Sequence, residues 1–438
     1  MRLRRSEAAP GPRSRVDAAG TPPTSPEQVR LSASIDDELA PTLDLLAGLI
    51  AEESIDGAAA IGRCLDLIDD AVQPLGGRRR RLAFDGLPNL VADWGDADDG
   101  RRLILAGHAD VVPAEGEWQT DPFGLVRDGD TLIGRGVCDM KGALAAYVGA
   151  LKVVARHIDL DRAPVSLVVT GDEEVGSPRG MVPLLEEGHV NGRWALCGEP
   201  TGLDVFTGNR GVAWLRIKIA GRGGHAGLPH VCDNPMWVAA RAVTAFEALP
   251  LSVRDDRFDP ATPSLTVTSM QVEGEPAGNT IPDAVWVAID RRLLPGETGE
   301  AAISQIESAV REAVKPPFSW ALTVDRVCPP YIADEGDALV DTAQRIVREI
   351  GRSGTLGTDP AADDSSWLGN AGISTVLCGP GAPEQAHTTG EQVDVSEIRD
   401  AIAIYAQLIL AAGTPASPAP QRYSGAVSHL PSPGSSRR

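Results

Sequence analysis

The sequence predicts an α/β protein, a mostly parallel sheet covered by helices with a smaller α+β unit inserted into it. Three observations predict this. Short apolar or β-branched runs alternate with helical stretches over the first half of the chain, the pattern of a sheet wrapped on both faces. The texture becomes β-rich and alternating from about Phe206, then returns to helix and strand after about residue 315. Acidic and imidazole side chains stand just behind the strand candidates, where open α/β sheets gather function.

Taken in order, a Pro/Ser/Ala/Arg-rich tail covers 1–27 and is expected to be disordered. It lacks an apolar h-region and is not read as a signal peptide. A helix is expected at 36–53, where Leu39, Leu43, Leu46 and Ile50 recur at helical spacing. Strands are expected at 103–106, 165–170 and 194–197, with a helix at 142–156. The inserted unit offers strands at 212–220, 264–272 and 285–290 and a helix at 234–249. A helix at 339–350, a strand at 374–378 and a last helix at 395–412 complete the first unit, and a second disordered tail covers 414–438. The expected division is therefore 28–205 plus 315–413 for the larger domain and 206–314 for the insertion.

Composition narrows the function. The chain is 42% hydrophobic and 23% charged, as in soluble globular proteins. A formal net charge of −21 argues against nucleic acid or an anionic membrane as partner, because phosphate would be repelled. The six cysteines are scattered with no C-x-x-C pair, which fits a reducing cytoplasm. No run of about 18 apolar residues exists to span a bilayer.

Five motifs carry chemistry. In GHADVVP, His108 and Asp110 share a face of extended chain. A metal-bound imidazole normally donates its other N–H to a carboxylate, so His108 reads as a ligand and Asp110 as the group that orients it. GRGVCDMKG turns into a helix and presents Asp139, whose two oxygens could bridge two ions; alone, it would read as an N-cap. GDEEVGS places Glu173 and Glu174 side by side, so that one can ligate while the other acts as general base. A metal lowers the pKa of bound water to about 7, and a nearby carboxylate completes the deprotonation. Glu199 in CGEPT and His387 behind GPG add a carboxylate and an imidazole at two further strand ends. Singly each motif is weak; together they form an N/O ligand set for two divalent ions, zinc by preference, with cobalt or manganese as alternatives. The segment 221–226 fits the dinucleotide pattern G-x-G-x-x-A, but Pro229 and Pro235 leave no room for the phosphate-binding helix.

These motifs, with Trp118 and Asp121-Pro122-Phe123 downstream of the first, resemble the successive motifs of the dizinc hydrolases that include acetylornithine deacetylase, succinyl-diaminopimelate desuccinylase, aminoacylase-1 and carboxypeptidase G. The similarity runs in order from about residue 30 to 412. It implies a ferredoxin-like inserted domain acting in dimerisation or as a lid, and a homodimer. It implies Asp139 as bridging ligand, His108 with Glu199 at one ion, Glu174 with His387 at the other, and Glu173 as general base. It further implies His225 as a histidine reaching across the dimer to polarise the scissile carbonyl, and Asn279 and Arg292 at positions linked to a substrate carboxylate. The expected substrate is an N-acyl amino acid, with a dipeptidase or carboxypeptidase activity as the alternative and a catalytically silent binding relative as a third reading. The run from His225 to Pro235 resembles the desuccinylase, whereas residues 369–387 are closer to the deacetylase branch.

Overall fold

The computed structural model describes residues 26–413 except residue 56 and the segments 97–99 and 275–277. The expected tails lie outside the described residues apart from 26 and 27. Those two belong to the first helix, Pro26–Ala51, which begins ten residues before the expected start at 36. Pro26 stands at the first position, where the missing N–H is no loss, a second proline, Pro41, lies inside the helix, and Ile35 adds a buried contact upstream of Leu46, Leu49 and Ile50.

Among the described residues the larger sheet has nine strands, in the order Arg78–Phe84, Leu87–Trp94, Val165–Thr170, Leu103–His108, Trp194–Pro200, Ser374–Gly379, Val205–Asn209 and Tyr331–Ile332, with Leu356–Asp359 paired to Val205–Asn209. Its central strands run parallel. Alternate residues serve two cores, which is why these strands read as unbroken apolar runs. Leu103, Leu105, Leu167 and Leu196 pack with the helices Pro26–Ala51, Lys141–Ala155 and Val395–Gly413. Ile104, Ala106, Val168 and Ala195 face the other way, toward Met181, Leu184 and Leu368 of the short helices Met181–Glu186 and Asp364–Asn370. The hairpin Arg78–Phe84/Leu87–Trp94 was not expected from the sequence. It turns on Asp85-Gly86, both at positive φ, a D-G hairpin turn.

The insertion forms its own antiparallel sheet, ordered Ser264–Val272, Ala284–Leu293, Gly211–Ala220 and Ser319–Cys328. In chain order its elements run β-α-β-β-α-β, the ferredoxin-like arrangement. Leu215, Ile217, Ile219, Val287 and Ile289 pack against Val238, Ala242 and Phe246 of Pro235–Glu247 and Ile306 and Val310 of Gly299–Ala313. The last strand, Ser319–Cys328, lies beyond residue 314 yet pairs with Gly211–Ala220, while Val205–Asn209 pairs within the larger sheet. No helix among the described residues is long and apolar enough to cross a membrane.

Candidate metal centre

The parallel strands end on a common edge, and the groups singled out above converge there. His108 closes its own strand; Glu199 is the penultimate residue of Trp194–Pro200. Glu173 and Glu174 begin the 3-10 turn that follows Val165–Thr170. Asp139 stands just before the helix Lys141–Ala155, and His387 follows the turn Pro383–Gln385 with a left-handed backbone, φ 62°.

Atoms of His108, Asp139 and Glu174 lie within 4.8 Å of one another. His108 Nε2 is 3.1 Å from Asp139 Oδ1 and 3.6 Å from Glu199 Oε1. His387 Nε2 is 3.3 Å from Asp139 Oδ2 and 3.2 Å from Glu174 Oε2. The two oxygens of Asp139 thus face different imidazoles, as a bridging carboxylate would. Glu173 Oε2 stands 4.0 Å from His108 Nε2, at the margin of the cluster.

Asp110 is placed differently from the simplest reading. His108 Nδ1 lies 2.9 Å from the Asp110 backbone carbonyl and 3.5 Å from its carboxylate. The shorter contact is the hydrogen bond that fixes the ring. The carboxylate accepts the backbone N–H groups of Glu173 and Glu174 at 3.3 and 3.0 Å. Asp110 therefore orients the imidazole and the glutamate turn together.

Electrostatics match a cation site. Burial lifts the pKa of Glu199, Glu174 and Glu173, the last against the pull of Arg326. Hydrogen bonds to Asp139 and Glu174 push His387 up to about 10. Burial alone would lower His108, but Asp110 and Asp139 outweigh it and raise its pKa. Carboxylates crowded together out of water resist ionising unless positive charge lies close by, the charge that a bound cation would bring. Glu174 Oε1 is also buried without a hydrogen-bond partner. The residues present therefore fit divalent cations.

The sequence reading missed the groups that brace this set. Glu391 is fully buried and accepts the N–H groups of Gly136, Cys138 and Asp139 at 3.0, 2.8 and 3.0 Å, together with Arg135 at 2.6 Å. It clamps the loop that presents Asp139. Arg326 reaches the Glu173 turn from the antiparallel sheet. Among the described residues, His225 and Asn279 stand apart from the cluster. Both are exposed on a small ribbon where Gly224–His225 pairs with Thr280–Ile281. Arg292 is engaged by Asp290 at 2.9 and 3.1 Å.

A sequence model of peptidase family M20/M25/M40 matches residues 104–411. A succinyl-diaminopimelate desuccinylase of Marinobacter nauticus is 31% identical over 386 residues, 85% of this chain and 98% of that protein. The enzyme of the same name from Thioalkalivibrio sulfidiphilus is 29% identical over 385 residues, 84% of this chain and 98% of its own. Among solved structures, an M20 family metallo-carboxypeptidase from Sulfolobus solfataricus superposes with a TM-score of 0.71 at 17% identity, over 85% of this chain and 99% of that one.

Proposed function

Because the chain belongs to peptidase family M20/M25/M40, whose members are metal-dependent hydrolases, we propose that it cleaves the amide bond of an N-acyl amino acid at the strand-end site. One observation carries this reading: the convergence of His108, Asp139 and Glu174, with Glu199 and His387 within 3.6 and 3.3 Å of the same cluster. We assign Asp139 as the bridge, His108 and Glu199 to one ion, and Glu174 and His387 to the other. The four clustered carboxylates, Glu173 included, match the charge of two divalent cations, and imidazole with carboxylate favours zinc. Bound ions would supply Lewis acidity and lower the pKa of a water.

The chain's own groups do the rest. Glu173 takes the proton from water and passes it to the leaving amine. Asp110 keeps Glu173 and Glu174 at their stations through their N–H groups. In this reading the ribbon carrying His225 serves the site of a second subunit, where the imidazole would stabilise the developing oxyanion, and Asn279 and Arg292 take the substrate carboxylate. Five exposed large apolar side chains, Leu228, Val231, Met236, Trp237 and Met270, cluster in the inserted unit's sequence near that ribbon and its edge strand, which supports a homodimer. We take the insertion as the lid and dimerisation unit, and the six free cysteines as favouring a cytoplasmic protein.

The names of the curated relatives favour an N-succinyl substrate. A panel of N-succinyl, N-acetyl and N-formyl amino acids and dipeptides, read with bound metal measured, tests this. Turnover of N-succinyl substrates should be fastest; dipeptides hydrolysed ahead of every N-acyl amino acid would instead make it a dipeptidase. Glu173→Ala should keep its metal and lose about 10²–10⁴-fold in kcat, whereas Asp139→Ala should lose metal as well. Full activity in Glu173→Ala would overturn the mechanism.

A further inference from the structure

Arg326 lies on the Ser319–Cys328 strand of the antiparallel sheet, yet its guanidinium ends at the catalytic turn. Nη2 donates to the backbone carbonyl of Glu173 at 3.4 Å and to Ala362 at 3.2 Å, and Nη1 donates to Glu174 at 3.4 Å. The same Nη2 is 3.4 Å from Glu173 Oε1. Glu173 therefore divides its oxygens, one toward Arg326 and the other, Oε2, toward His108.

Several independent features deliver the guanidinium there. The pairing of Ser319–Cys328 with Gly211–Ala220 shifts register between Val324 and Arg326, and a bulge of this kind re-aims the following side chain. Across the strands Arg326 pairs with Trp214 and Trp214 with Asp290. The guanidinium stacks 5.1 Å from the Trp214 ring, and the indole N–H donates to Asp290 at 2.9 Å, so the whole row is tied. Gly176, at φ 97°, lies against the arginine: a Cβ there would come within 2.7 Å of Nε and 3.0 Å of Cγ. Only a residue without a side chain leaves that path open. The arginine side chain is 8% exposed, too buried for a casual surface ion pair.

We propose that Arg326 is the positioning residue for Glu173, holding one carboxylate oxygen and the carbonyls of its turn so that the other oxygen faces the metal-ligand cluster. This rests on Glu173 being the base. It also makes the antiparallel sheet part of the catalytic geometry: a shift of that sheet would carry the guanidinium with it and release Glu173.

The test uses the full-length, zinc-loaded protein and the fastest N-acyl amino acid of the panel. Arg326→Met should lower kcat by about 100-fold, the loss expected when a reacting group is misplaced, with KM and bound zinc little changed. Arg326→Lys, which retains a point charge but not the fork, should recover part of that loss. In the Glu173→Ala background Arg326→Met should have no further effect on residual turnover. Unchanged kcat in Arg326→Met, a loss accompanied by loss of zinc, or a rise in KM at constant kcat would each overturn the proposal. An active Glu173→Ala enzyme would instead remove the base assignment, so the two failures are distinguishable.

Discussion

Glu391 shows how far the site depends on single side chains outside the ligand set. Replacing it with leucine would strand the buried Arg135 guanidinium and three backbone N–H groups without their acceptor. Breaking a buried pair in this way costs about 3–5 kcal/mol, so the denaturant midpoint of Glu391→Leu should fall accordingly. Glu391→Gln, which keeps an acceptor oxygen, should lose less. Equal midpoints for Glu391→Leu and the parent protein would show that the clamp is not needed. His108, Glu174, Glu199 and His387 were legible because each follows a strand candidate in a Gly- or Pro-marked loop, and Asp139 because it stands in a Gly-punctuated turn entering a helix. Glu391 was not, since G-E-Q-V-D reads as an ordinary solvated turn. Arg326 was hidden for another reason: in L-T-V-D-R-V simple alternation would put the arginine on the core face with Leu322 and Val324, and only the bulge turns it to the opposite face, beside Trp214.

At the level of elements, the parallel strands were readable because burial on both faces leaves them uniformly apolar. The hairpin Arg78–Phe84/Leu87–Trp94 escaped because four consecutive arginines mask its first strand. Arg79, Arg80 and Arg81 are neutralised by Asp69, Asp93 and Asp66 at 2.8, 2.8 and 2.7 Å, partners that lie in other elements and leave no local pattern. Charged residues on an edge strand also discourage pairing with another chain. The opposite holds at an edge of the antiparallel sheet, Ser264–Val272, where Met270 is 43% exposed. If this unit is the dimer contact, Trp237→Glu should shift the protein toward monomer in sedimentation at micromolar concentration. Mixing and refolding His225→Ala with Glu173→Ala should restore partial activity. A Trp237→Glu protein that remains fully dimeric would place the contact elsewhere.

The molecule as a whole should be sensitive to pH when its metals are stripped. Burial raises Asp172 and Asp359 to about 7 and Asp364 to about 6, from an ordinary 3.8. The native state then binds more protons than the unfolded chain between those values, so stability falls as pH rises through that window. Asp139, held down by the two imidazoles against its burial, runs the other way. In chelator, the melting temperature should decline from about pH 4 to about pH 7. Zinc should raise it by mass action, more strongly at the higher pH, where its ligands are free of protons. A melting temperature that climbs across this range without metal would contradict the burial argument. The spacing of the ligand set along the chain has a consequence in time. His108 and His387 are the first and last of its members, and Glu391, which fixes Asp139, is later still. On the ribosome, the whole span from His108 to Glu391 must therefore emerge before the proposed site can close. A nascent chain shorter than that offers only scattered, weak donors, so on the proposed assignment metal loading would report that the whole span between the two histidines has been made.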